Sequence, residues 1–345
     1  MPPLGLDPQA QGKVTGATLI SYRRAAHMLT SWLLQHGLHP TSATEWDDLI
    51  VEWKVHGKPS KTQFTTALAA VEFFFPLYRG KLRWSHAVRS GWEVAHTPQH
   101  TVPMLSGLVR LYSIHISAYG SPRMGIGMVL QQKKGFRPSE LLGLRAKDLV
   151  LPREMGSADL PSMIIGLGIR QGTKAKRPQS AVLPCSEDKA LTEALENLKE
   201  LTEAEDRLFP YSLEQYNRCI RKVSNDLNLD IKFTPHSMRA GFASEGRALG
   251  KSFTELKEEG RWISDASLRV YIDLVSAAAI AQSPAVRALS NDVAQASVVW
   301  PQYFTRAWLG ECDATQGGQA TSSRSRIARG RSPGGAGAGL LAGRA

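Results

Sequence analysis

The sequence is short of acidic residues, of cysteines and of long apolar runs. Its 345 residues include 31 Asp and Glu against 42 Lys and Arg, a formal net charge of +11 at pH 7. This excess favours polyanionic partners, nucleic acid first among them. No apolar run is long enough to span a bilayer, and the N-terminus lacks the pattern of a secretory signal. We therefore expect an intracellular protein with no membrane partner, in the nucleus of a eukaryote or the cytoplasm of a bacterium.

The three cysteines, Cys185, Cys219 and Cys312, are odd in number and widely spaced. They form neither a metal-ligand spacing nor a disulfide framework, and no cluster of carboxylates supplies a metal site in their place. The sequence thus predicts neither a metal nor any other cofactor.

Hydrophobic periodicity divides the chain into two helical units. We expect a flexible N-terminus over 1–15, a helical domain over 16–85, a linker over 86–100, a second domain over 101–290 and a mostly disordered tail over 291–345. The tail is predicted to be disordered because from Ala314 it consists largely of Gly, Ala and Ser, with five arginines and no acidic residue.

The hydrophobic periodicity of the second unit changes from helical to strand-like near its middle. The runs "SMIIGLGIR" and "QSAVLP" are typical of strands, and they flank the basic turn "QGTKAKRP". Helices are predicted on both sides, including 235–249 and 264–280. The fold class is therefore mainly α with a small β-sheet or hairpin, an α+β arrangement in the second domain.

Four segments of the second unit carry side chains suited to phosphate chemistry. They are "GFRPSELLGLRAKDL", "GTKAKRPQ", "TPHSMRAGF" and "GRWISDASLRVYIDL". His236 and Arg239, three positions apart, share one helix face. Thr234 as N-cap and Pro235 at the first helical position would put His236 in the first turn, where the helix dipole favours an anion. Each segment alone also fits a plain structural role, as a solvated cation, a turn or a packed aromatic.

Together and in this order, the segments resemble those of the tyrosine recombinase (phage integrase) family. The resemblance covers about residues 101–285, and the first unit is similar to that family's helical, SAM-like core-binding domain. At the position where most members have a histidine this chain has Trp262, which resembles the Cre-like branch. The resemblance implies a two-domain protein that clamps double-stranded DNA and cleaves and rejoins it through a 3′-phosphotyrosine, without metal or ATP.

The resemblance also assigns roles to individual residues. Tyr271 would be the nucleophile, two arginines and the indole N–H would bind the phosphate oxygens, and His236 would exchange a proton. Lys174 would be the general acid, with Lys176 as the alternative, and Glu140 would orient an arginine or the histidine. The full catalytic set is Arg137, Lys174, His236, Arg239, Trp262 and Tyr271.

Other basic residues are predicted to bind the DNA backbone. These are Lys133, Lys134, Arg145, Lys147, Lys176 and Arg177. In the family, the segment after the nucleophile docks on a neighbouring protomer, and "AAAIAQSPAVRAL" could do so in a homotetramer on DNA. Two alternatives stay open at this stage, a type IB topoisomerase-like enzyme and a domesticated DNA-binding protein without catalysis.

Overall fold

The structure, a computed structural model, describes residues 14–95, 101–155, 161–167 and 179–319, with side chains as far as 312. It separates into two compact units, Met1–Gln99 and His100–Ala345. None of the described helices is both long enough and apolar enough to cross a membrane.

The described part of the first unit contains four α-helices. They are α1 (Gly16–Gln35), α2 (Ala43–Glu52), α3 (Lys61–Phe74) and α4 (Arg83–Ala95). Leu29, Ile50 and Phe64 are fully buried where α1, α2 and α3 meet. Ser60 and Gln63 form a reciprocal capping box at the start of α3, which explains why that helix begins where it does.

The fourth helix corrects the predicted linker over 86–100. The Asp47 carboxylate accepts hydrogen bonds from the backbone N–H groups of Trp84 and Ser85, both at 2.8 Å. This cap satisfies donors at the start of α4, and Val88 and Trp92 then pack on the core of the unit. Residues 86–95 therefore belong to the first unit, and 96–100 lie outside the described residues.

The second unit begins with two central helices, α5 (Ser106–Ala118) and α6 (Pro122–Lys134), followed by the short α7 (Pro138–Gly143). Further helices follow a small sheet. They are α8 (Lys189–Glu200), α9 (Leu213–Asp226), α10 (Ser237–Ala248), α11 (Phe253–Glu259), α12 (Asp265–Arg269), α13 (Leu274–Gln282), α14 (Pro284–Ala288), α15 (Ser290–Val299) and α16 (Arg306–Gln319).

The sheet of the second unit has three antiparallel strands in the order β1 (Leu149–Val150), β2 (Ser162–Gly166), β3 (Ser180–Pro184). Ile164 pairs with Val182 in the β2–β3 register. Side chains alternate, so that Met163 and Leu183 face the core. The predicted mainly α fold with a small sheet is confirmed.

The C-terminal part corrects the expectation of disorder over 291–345. α15 leads into a 3₁₀ turn at Trp300–Phe304 and then into α16. Trp300 is fully buried and donates from Nε1 to Ser113 Oγ at 2.7 Å, and Tyr303 and Leu309 are also in the core. These buried side chains are too irregularly spaced along the sequence to give a helical period. Residues 320–345 lie outside the described residues.

Candidate active site

Arg137 is the N-cap of α7, and Pro138 occupies the first helical position, where proline is favoured. The Glu140 carboxylate accepts a hydrogen bond from the Arg137 backbone N–H at 2.8 Å and another from Nη1 of the same residue. The Glu140 side chain is 3% exposed and that of Arg137 19% exposed. The carboxylate is thus buried behind an arginine that still reaches solvent.

Arg239, on α10, is fully buried. Its Nη1 donates to the carbonyl of Gly135, and its Nη2 donates to that of Gly260 at 2.8 Å. Glycine is favoured at both positions. Gly135 has a φ of 59°, and a Cβ at Gly260 would stand 1.7 Å from the Trp262 ring. Burial lowers the pKa of Arg239 to about 9, with the charge of Arg137 acting in the same direction, so Arg239 carries its charge at neutral pH.

Arg261 is the third arginine of the site, and it is a buried one that the sequence analysis did not single out. Its guanidinium donates to the carbonyls of Glu259 at 2.8 Å and Lys134 at 3.3 Å, and it lies 3.5 Å from Glu140 Oε2. It also stacks over the Phe136 ring, 4.7 Å from its centroid. An arginine just after a helix is usually solvated, so no sequence signal marks this one as buried.

The charge of Glu140 depends on these arginines. Burial raises the pKa of its carboxyl, but the charge of Arg261 and then the backbone N–H and charge of Arg137 outweigh burial and hold the pKa below its ordinary value. Three guanidinium groups (Arg137, Arg239 and Arg261) therefore surround one ionised carboxylate, and the cluster has a net positive charge.

His236 lies at the start of α10, but the helix begins later than predicted. His236 itself is the N-cap and Ser237 the first helical residue. The preceding turn is held by Thr234 Oγ1, which accepts from the His236 N–H at 3.3 Å, and by the Ser237 hydroxyl, which accepts from the Thr234 N–H at 2.9 Å. The His236 ring is 6.4 Å from that of Tyr271.

Tyr271 lies in a turn, although the sequence predicts one helix over 264–280. α12 ends at Arg269, and Asp273 caps the start of α13. The turn is fixed by the Tyr271 N–H, which donates to the Leu268 carbonyl at 2.9 Å, and by the Ser244 hydroxyl, which donates to the Tyr271 carbonyl at 3.2 Å. The phenol is half-buried.

Trp262 joins the arginines to the tyrosine. Its buried indole stacks on Phe242 with 18° between the rings. The Arg239 guanidinium lies 3.8 Å from the Trp262 ring centroid and 5.4 Å from that of Tyr271, and the two aromatic rings are 5.6 Å apart. The structure thus brings His236, Arg239 and Trp262 together around Tyr271.

Three donors of this cluster have no acceptor among the described residues. These buried donors are Nε of Arg239, Nε of Arg261 and Nε1 of Trp262. Buried donors without partners are costly and uncommon in folded proteins. A positive cluster with unsatisfied N–H groups near a tyrosine ring suits an anion such as a phosphodiester, because fixed donors stabilise charge that develops on its oxygens.

The predicted DNA-backbone residues that the structure describes are all paired with acids. Lys134 and Lys133 lie 2.7 and 3.4 Å from Glu187. Arg145 and Lys147 lie 2.8 and 2.7 Å from Glu205. The Glu205 pairs are exposed, so they contribute little stability and could exchange for phosphate contacts. Their role on DNA stays a prediction.

Lys174, Lys176 and Arg177 lie outside the described residues, in the connection between β2 and β3. Over the ranges that the structure does describe, no three His, Cys, Asp or Glu side chains are grouped closely enough to hold a metal ion.

Comparison with solved structures, but not with known sequences, shows what this chain is similar to. No protein family model matches this sequence, and no curated protein matches it. The structure is similar to that of the Tn1549 transposon integrase in complex with transposon right end DNA, with a TM-score of 0.53 and 14% identity over 83% of this chain and 96% of that one.

Two further structures match less well. XerA recombinase has a TM-score of 0.38 and 19% identity, over 82% of this chain and 94% of that one. XerH site-specific recombinase bound to difH substrate has a TM-score of 0.43 and 15% identity, over 70% of each chain. The similarity to the Tn1549 integrase shows that this chain has the tyrosine recombinase fold, as its motifs predict.

Proposed function

We propose that this protein is a site-specific DNA recombinase or integrase that cleaves and rejoins double-stranded DNA through a 3′-phosphotyrosine. The observation that carries the proposal is the pair of buried donors that lies against the Tyr271 ring, the charged guanidinium of Arg239 and the neutral indole N–H of Trp262. The recombinase fold adds support, because the Tn1549 integrase was solved on its transposon-end DNA.

The proposed reaction exchanges one phosphoester bond for another. The Tyr271 oxygen attacks the scissile phosphorus, a bond forms between them, and the bond from phosphorus to the 5′ oxygen breaks. Arg137 and Arg239 bind the non-bridging oxygens, whose charge increases in the transition state. In the second step a 5′-hydroxyl attacks the phosphotyrosine and releases the phenol.

Two protons move in the cleavage step. The phenol proton passes to a base, for which His236 is the candidate because its ring lies beside that of Tyr271. The 5′ oxygen leaves as a hydroxyl and needs a proton, for which Lys174 is the candidate and Lys176 the alternative. Trp262 would donate its indole N–H to a phosphate oxygen.

We also propose that the protein acts as a homotetramer on DNA, in the compartment that holds the DNA. Ile280 and Leu289, within the segment expected to dock on a neighbour, are buried in the core of their own unit. The surface available for a neighbour is instead the exposed apolar set around α13, namely Val270, Leu274 and Val275. Cross-linking with and without bound DNA, compared between the wild type and Val275→Glu, tests this surface.

Covalent trapping in the host tests the proposed function. Cells are lysed in denaturant, the protein is captured, and the DNA that stays attached is sequenced. Tyr271→Phe is the variant, and Tyr112→Phe is the matched control because its hydroxyl bonds Ser224 Oγ at 2.9 Å in the core. We expect attached DNA from the wild type and the control, at one short inverted repeat, and none from Tyr271→Phe.

Other results would contradict the proposal in distinct ways. Reads scattered over the genome would indicate a topoisomerase-like enzyme. A protein that binds DNA but leaves none attached would indicate a DNA-binding protein without catalysis.

A further inference from the structure

We infer that Gln131 is a positioning residue that fixes the backbone just before Arg137 relative to the backbone just before His236. It lies in the last turn of α6, and its side chain is fully buried. Its Nε2 donates to the Pro235 carbonyl at 2.8 Å and to the Phe136 carbonyl at 3.1 Å. These carbonyls belong to the peptide units that lead directly into His236 and Arg137.

The orientation of the amide is unambiguous. Carbonyl oxygens only accept hydrogen bonds, so the amide nitrogen must face both carbonyls, and each of its two N–H groups has one acceptor. The amide oxygen accepts from the Tyr216 hydroxyl at 2.7 Å. Burial raises the pKa of the Tyr216 phenol well above its ordinary value, so this hydroxyl keeps its proton.

Gln131 also holds the Phe136 peptide from its other side. The backbone carbonyl of Gln131 accepts from the Gly135 N–H and from the Phe136 N–H, the second at 3.1 Å. The Phe136 residue is therefore bonded to Gln131 through both its N–H and its C=O. One residue fixes the entry to Arg137 and links it to the turn before His236, although the two catalytic residues are far apart in the sequence.

The consequence for the reaction follows from geometry. Arg137 and His236 must meet one phosphate together, and a displacement of about 1 Å between catalytic groups can lower a rate about 100-fold. The hydrogen bonds of the Gln131 side chain go to Pro235, Phe136 and Tyr216, none of which belongs to the catalytic set. The inference rests on the proposed function, because it concerns the rate of the same cleavage step.

The test compares three variants. Gln131→Met keeps the length of the side chain and removes all three side-chain hydrogen bonds. Tyr216→Phe removes only the hydroxyl that orients the amide. Tyr112→Phe is the matched control, since it removes an equally buried tyrosine hydroxyl from the same unit, one that bonds Ser224 instead.

The substrate is obtained first and the rates are measured on it. Purified wild-type protein is incubated with a pool of random-sequence duplex DNA, and the covalently attached duplexes are sequenced. The recovered sequence is made with a 5′-bridging phosphorothiolate, which prevents religation. DNA affinity and the rate of covalent-complex formation at saturating protein are then measured separately, at a temperature at which circular dichroism shows every variant folded.

We expect unchanged DNA affinity for all variants, with Gln131→Met and Tyr216→Phe slower in covalent-complex formation by about 10- to 100-fold. Tyr112→Phe should match the wild type in rate even though it loses comparable thermal stability. If Gln131→Met and Tyr216→Phe react as fast as Tyr112→Phe, the inference is wrong and the proposed function stands. If the wild type forms no covalent complex with any duplex, both are overturned.

Discussion

The backbone conformation of Arg261 leads to a prediction that can be tested without a DNA substrate. Arg261 follows α11 with a φ of 56°, in the left-handed region. Its N–H donates to the Glu258 carbonyl at 3.2 Å, and the next N–H, of Trp262, donates to the Lys257 carbonyl at 2.9 Å. This pattern ends a helix at a position where glycine is the favoured residue.

Two substitutions separate the effect of the backbone conformation on stability from that of the side chain. Arg261→Ala and Arg261→Gly both remove the guanidinium, but only glycine relieves the left-handed strain, which costs an L-residue about 1–2 kcal/mol. The greater flexibility of unfolded glycine offsets about 0.5–1 kcal/mol of this gain. We therefore expect Arg261→Gly to be more stable than Arg261→Ala by about 1 kcal/mol, or about 2–4 °C in Tm for a unit of this size.

Thermal unfolding of the two variants, followed by circular dichroism with the wild type alongside, measures the difference. An Arg261→Ala protein that melts at or above the temperature of Arg261→Gly would refute the left-handed conformation at this residue. It would also remove the geometric reason why the guanidinium turns back towards Glu140.

The stability that the Arg261 side chain contributes should depend on pH. In the wild type the pKa of Glu140 is held below its ordinary value of 4.5, so its ionised form stabilises the folded state above that pH, and this stabilisation is lost as pH falls through the lowered pKa. Without Arg261, the first of the opposing charges is gone and burial raises the pKa again. The stability difference between wild type and Arg261→Gly should therefore be larger at neutral pH than at a pH below the lowered pKa, and denaturant unfolding across this range measures it.

Three further substitutions test other parts of the structure. Arg137→Ala should lower covalent-complex formation by several orders of magnitude, since one lost oxyanion contact costs about 2.7–4 kcal/mol, and normal cleavage would remove Arg137 from the site. Trp262→Phe should cost less in the same assay, because it loses one N–H donor and keeps a ring against Arg239. Trp300→Ala should destabilise the second unit by about 3–5 kcal/mol in denaturant unfolding, whereas a disordered C-terminal segment would make it neutral.

The residues that the structure brings together at the candidate site could be named from the sequence because they lie in motifs of fixed order. His236, Arg239 and Tyr271 are named by their motifs, and Pro138 marks the start of the helix that Arg137 caps. The turn at Tyr271 could not be predicted in this way because "SDASLRVYIDLVSAAA" has helical spacing on both sides of it. Only the cap at Asp273 shows that two helices meet there.

Other features depend on contacts between distant parts of the chain. α4 forms where a linker is predicted because Asp47, far from it in sequence, caps its first N–H groups. Arg261 is buried because Glu140 and the Lys134 carbonyl receive it. Trp300 belongs to the core because Ser113 accepts its indole N–H. Local periodicity carries no information about such distant partners. Tertiary contacts can therefore override the structure that it predicts.

Two of the three arginines of the site, Arg239 and Arg261, are held mainly by groups without a net charge, whereas Arg137 is paired with Glu140. Arg239 is fixed by two glycine carbonyls and an indole face, and Arg261 is held largely by backbone carbonyls. Carboxylates in those places would neutralise the guanidinium groups and compete with a phosphate for them. Backbone dipoles and π-faces orient the cations without cancelling their charge. Folding therefore bears most of the desolvation of Arg239 and Arg261, and under the proposed function this cost would already be met before a phosphate is bound.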